Sequence, residues 1–103
     1  MYEFEVENID EVETLECIKV FDEELNILLN KTPECSSVEI EKYSKAVNNE
    51  PVEIHMEFTR QGKKAFLAFK PDFFEDYCYS TRKERNLVLK NTLEEIKDKI
   101  ATL

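Results

Sequence analysis

The chain has 103 residues, 42% of them apolar and 36% charged, with a formal net charge of −9. This length holds one domain, expected over residues 1–103, with a core that needs no staples, and the apolar content excludes intrinsic disorder. With three prolines and one glycine there is no long linker or low-complexity tract, and no run approaches the ~18 apolar residues of a membrane span.

Residues 2–7 alternate. Tyr2, Phe4 and Val6 face one way and Glu3, Glu5 and Glu7 the other, the period of a strand with one buried face. An acidic alternating start is unlike a signal or transit peptide, so a mature cytoplasmic protein is expected.

A helix then opens at Asn8 or Asp10, with Glu11, Glu13 and Glu16 near the positive end of its dipole. Leu15, Ile18, Phe21, Leu25, Leu28 and Leu29 form its apolar face. It ends near Asn30, before Thr32-Pro33. Val20 and Ile27 fall outside the stripe, facing a second helix of this chain or a partner.

Residues 36–48 carry two patterns. Ser36 with Glu39 resembles a capping box, and Ile40, Tyr43 and Val47 follow helical spacing. This favours a helix. Val38 and Ile40 also alternate as in a strand, and that alternative adds a fourth strand.

Residues 51–70 read as a β-hairpin. Val52, Ile54, Met56 and Phe58 alternate with Glu53, His55, Glu57 and Thr59. Gly62 supplies the positive φ of a tight turn. A turn at Gln61-Gly62 pairs Thr59 with Lys64, Phe58 with Ala65, Met56 with Leu67 and Ile54 with Phe69. A slip of one residue would turn the second strand's apolar residues to the wet face. That face pairs Glu57 with Phe66, His55 with Ala68 and Glu53 with Lys70.

Residues 71–80 are rich in aromatics: Phe73, Phe74, Tyr77 and Tyr79, with Glu75 and Asp76 among them. Phe69 and one of Phe73 or Phe74 are expected in the core. Thr81 and Glu84 then form a capping box before a helix with a stripe of Leu89, Leu93, Ile96, Ile100 and Leu103. Arg82, Lys83 and Arg85 in its first turn oppose the dipole.

The expected architecture is a two-layer α+β fold: an antiparallel sheet of three or four strands with helices packed on one face. Cys17, Cys35 and Cys78 are odd in number and irregular in spacing. They read as reduced thiols, and with one histidine they offer no zinc site. No metal or cofactor is expected. His55 is expected on an exposed face without a nucleophile, so the chain reads as no enzyme. Paired carboxylates carry no weight where acids are so common and a domain of this length has little room for a cleft. The single glycine rules out a phosphate-binding loop.

Charge is unevenly distributed. Residues 1–57 carry 16 acids against 4 lysines, a net −12, and residues 58–103 carry 7 acids against 10 bases, a net +3. The acidic half disfavours direct nucleic-acid or membrane binding and favours a basic protein partner. Glu3, Glu5, Glu7, Glu53, His55 and Glu57 would share one open sheet face. Alternate carboxylates about 6.6 Å apart roughly imitate a phosphate backbone. Phe73, Phe74 and Tyr77 are the second candidate surface, since aromatics concentrate in interface centres. The expectation is a non-enzymatic acidic binding protein: an inhibitor or immunity protein against a basic nucleic-acid-processing enzyme. The alternative is a homodimeric adaptor or regulatory subunit.

Overall fold

A computed structural model describes the backbone at residues 2–5, 12–45 and 53–103, and the side chains of residues 14–44 and 53–103. The elements are β1 (Tyr2–Glu5), α1 (Val12–Asn30), β2 (Glu39–Lys45), β3 (Glu53–Arg60), β4 (Lys63–Phe69), α2 (Pro71–Tyr79) and α3 (Arg82–Ala101). A short 3₁₀ turn, Pro33–Cys35, follows α1. The fold is two-layer α+β, with strand order β1-β2-β3-β4.

Two expectations are corrected here. Residues 39–45 form a strand rather than a helix. In this arrangement β2 pairs antiparallel with β3, setting Ile40 opposite Phe58 and Lys42 opposite Met56. The inner edge of β3 needs a hydrogen-bonded partner, and that requirement outweighs a weak helical spacing. The sheet is also not wholly antiparallel. β1 runs parallel to β2, so β2 separates it from the hairpin. The expected opening of α1 at Asn8 or Asp10 lies outside the described residues.

The hairpin has the register that its alternation dictates, from Ile54 opposite Phe69 to Thr59 opposite Lys64. The Glu53–Lys70 pair is not part of the ladder, which stops at Ile54 and Phe69. Gln61 and Gly62 turn the chain at φ 53° and 81°, both positive as in a type I′ turn. Ile54, Met56 and Phe58 are buried, whereas Leu67 is half-buried because β4 is an edge strand.

The helices cover the face carrying Ile40, Ile54, Met56 and Phe58. From α1, Cys17, Ile18, Phe21, Leu25 and Leu29 enter the core. Residues 71–79 form a helix with Pro71 at its first turn, where a missing N–H costs nothing. This helix delivers Phe74 and Tyr77 to the core beside Phe21, at ring-centroid distances of 5.4 and 5.1 Å. Leu89, Ile96 and Ile100 of α3 complete it.

Polar links fix the helix ends. Thr81 and Glu84 form the capping box that the sequence predicts. The Tyr77 hydroxyl donates to Glu24, whose carboxylate also pairs with Arg82 at 3.2 Å and Arg85 at 3.6 Å. Arg85 donates to the carbonyls of Tyr77 and Cys78 as well. Arg82 and Arg85, two of the three bases that oppose the α3 dipole, therefore join α1, α2 and α3. At the other end, Arg60 donates to the carbonyls of Ile100 and Leu103 at 3.0 and 3.2 Å, satisfying acceptors that a helix terminus leaves open. Among the described residues, no helix is long and apolar enough to cross a membrane.

Candidate docking face

No described helix lies on the opposite face of the sheet. Strand pairing arranges that face in rows. One row runs Glu41, Glu57, Phe66 across β2, β3 and β4, and the next runs Tyr43, His55, Ala68. By backbone register Glu3 of β1 extends the first row beside Glu41, and Glu5 extends the second beside Tyr43. A third row holds Glu39, Thr59 and Lys64.

An aromatic ladder runs through these rows. The His55 ring stacks on Phe66, with centroids 5.3 Å apart and planes 9° apart, and lies 5.7 Å from the Tyr43 ring. His55 and Phe66 are diagonal neighbours, a separation that aromatic rings can bridge. The expectation of an exposed His55 is thereby corrected: two rings cover it and leave it 7% exposed. Its Nε2 is 3.4 Å from Glu53 Oε1. Phe66, at the sheet edge, remains 55% exposed.

Carboxylates rim the ladder. Tyr43 Oη donates to Glu57 Oε2 at 3.3 Å, and Lys64 pairs with the other Glu57 oxygen at 3.3 Å. Burial, then the charge of Glu57 and its hydrogen bond, raise the Tyr43 hydroxyl above its ordinary pKa. Glu41 and Glu39 are exposed. Among the described residues, no base pairs with Glu41. Direct opposition of Glu41 and Glu57 is a like-charge cross-strand pair, which ordinarily destabilises a sheet.

The residues named from sequence are only partly brought together. Glu53, His55 and Glu57 share this face. Glu3 and Glu5 are placed by register alone, and Glu7 lies outside the described residues. The aromatic candidates are corrected: Phe74 and Tyr77 are 0% and 1% exposed, so they are core and not contact surface. Phe73 is half-buried against Phe21 and Phe69. Glu41 and Tyr43 were not identified from sequence, because a helical reading of residues 36–48 hides their place opposite Glu57 and His55. The alternation of Val38 and Ile40 is the signal that would have found them.

Elsewhere, Ile27 of α1 and Leu87 of α3 are 54% and 59% exposed. Leu28, Leu89 and Leu93 line a shallow depression between the two helices. Cys17 and Cys35 are buried, and burial raises the Cys35 pKa. Among the described residues, no group of three or more His, Cys, Asp or Glu side chains could hold a metal.

Fold and face together define a small α+β protein with one helical layer and one open, acidic-aromatic sheet face. No protein-family model, curated protein or solved structure matches this chain.

Proposed function

We propose that this chain is a non-enzymatic, cytoplasmic binding protein whose open sheet face docks on a basic protein. An inhibitor or immunity protein against a basic nucleic-acid-processing enzyme fits that role. One observation carries the reading: Glu57 lies opposite the exposed Phe66 ring, and Glu39, Glu41 and Glu53 share the same face, which no described helix covers. Lys64 pairs with Glu57 there. Concentrated negative charge raises the encounter rate with a basic surface and repels nucleic acid and anionic membranes. No cofactor is needed for such a role.

The test starts from the partner captured from the native host. Its association rate should fall as salt rises, because the Debye length shrinks. Reversing Glu41 and Glu57 to Lys should slow association further. An affinity indifferent to both would overturn the reading.

The second reading, a homodimeric adaptor, is favoured by exposed Ile27 and Leu87 beside the depression between α1 and α3. It expects a dimer in sedimentation that survives high salt and separates on Leu87→Asp.

A further inference from the structure

We infer that the open face holds an arginine side chain of its partner, laid against the Phe66 ring and ion-paired with Glu57 and Glu41. This rests on the basic-protein reading and specifies the chemistry that would be recognised. Phe66 is more than half exposed, yet its ring is fixed by stacking on His55, which in turn meets Tyr43. A braced ring with free surface offers a π face at low entropic cost. Its direct cross-strand neighbour is Glu57, and the next residue in the row is Glu41. Cross-strand neighbours have Cβ atoms about 5 Å apart, so one side chain can touch the ring and a carboxylate together.

The charge in this row is incompletely balanced. Lys64 sits 3.3 Å from one Glu57 oxygen, and among the described residues no base pairs with Glu41. A cation brought from outside would complete the row. A planar guanidinium stacks on rings, pairs with carboxylates through two N–H groups and is weakly hydrated. An ammonium is a compact, strongly hydrated point charge that gains less from the ring. Single-stranded nucleic acid also stacks on exposed aromatics, but its phosphates would meet Glu41, Glu53 and Glu57.

The test uses the full chain with acetylated tetra-arginine, tetra-lysine and an octathymidylate at equal, low salt. Affinities are measured by calorimetry, and the ring signals of Phe66 and His55 are followed by NMR. Tetra-arginine should bind roughly two- to fivefold tighter than tetra-lysine, moving both ring signals. Phe66→Leu keeps apolar cover but removes the π face. It should abolish the preference by weakening tetra-arginine binding more than tetra-lysine binding, and the melting curve of the variant shows that the chain is still folded. Glu41→Gln with Glu57→Gln should weaken both peptides. Equal binding of the two peptides, a preference that survives Phe66→Leu, or no binding of either would overturn the arginine site. So would octathymidylate binding that depends on Phe66. Equal peptide binding lost in the double Gln variant would overturn only the arginine site. The wider docking reading fails separately, when the captured partner ignores salt and charge reversal.

Discussion

Lys42 of β2 and Asp22 of α1 form an ion pair inside the core, with the lysine side chain wholly shielded from solvent. The ammonium lies 5.0 and 5.6 Å from the Phe21 and Phe74 ring centroids. Asp22 Oδ2 is buried and accepts no hydrogen bond among the described residues. Two ions withdrawn from water rarely gain much net stability from each other, but each becomes costly alone. Lys42→Met should therefore lose about 3–5 kcal/mol in urea unfolding at pH 6, where the lysine is charged, by stranding Asp22. Lys42→Met with Asp22→Leu should return to wild-type stability or exceed it. Additive losses in the double variant would refute the coupling.

The same lysine gives a pH dependence. Loss of hydration pushes its pKa from 10.5 down to about 7. Between those values the folded chain has released a proton that the unfolded chain still holds. Stability from this group should therefore rise with pH across that window, by at most about 1.4 kcal/mol per unit. Below pH 7 both states hold the proton and the contribution is flat. The measurement is the difference in unfolding free energy between wild type and the Lys42→Met, Asp22→Leu variant. A difference that stays constant from pH 7 to 10 would mean that Lys42 keeps its charge when folded.

The hairpin turn separates backbone cost from packing cost. A Cβ on Gly62 would meet no atom within 4 Å, so Gly62→Ala should be penalised by its positive φ alone, about 1–2 kcal/mol. Gln61 also holds a positive φ, 53°, with a side chain poorly suited to it. Gln61→Asn should stabilise by a few tenths of a kcal/mol, since Asn tolerates that conformation. Thermal melts of both variants would show whether the two changes have opposite signs.

How legible each element was follows from how many constraints overlapped on it. Alternating Ile54, Met56 and Phe58, a second apolar run and a single glycine leave the hairpin one register. Residues 36–48 had only local patterns: Ile40, Tyr43 and Val47 satisfied a helix, while Val38 and Ile40 satisfied a strand. The deciding constraint was the unpaired edge of β3, which lies outside the segment that local patterns describe. The same ambiguity concealed Lys42, which alternation from Val38 and Ile40 would have turned onto the dry face. His55 was misjudged because period two assigns a face, not an exposure. Its burial comes from Tyr43 and Phe66 on the neighbouring strands. The bases at the start of α3 were visible as a conflict with its dipole, but Glu24 and the carbonyls of Tyr77 and Cys78 explain Arg82 and Arg85 only in three dimensions.

The opposition of Glu41 and Glu57 leads to the last prediction. Opposed like charges across a strand pair cost a fraction of a kcal/mol to about 1 kcal/mol, and their neighbours relieve them only in part. Lys64 meets Glu57, while among the described residues no base pairs with Glu41. Glu41→Lys replaces repulsion by attraction at an exposed site that holds no core contact. It should raise the melting temperature at low salt, and the gain should fade as salt screens the pair. If the face serves a basic partner, the same substitution should slow that partner's association. Stability and binding would then move in opposite directions, as expected where a local rule is broken for function. A Glu41→Lys variant that is less stable than wild type at low salt would show that the row is already balanced. The like-charge pair would then carry no argument for an external cation.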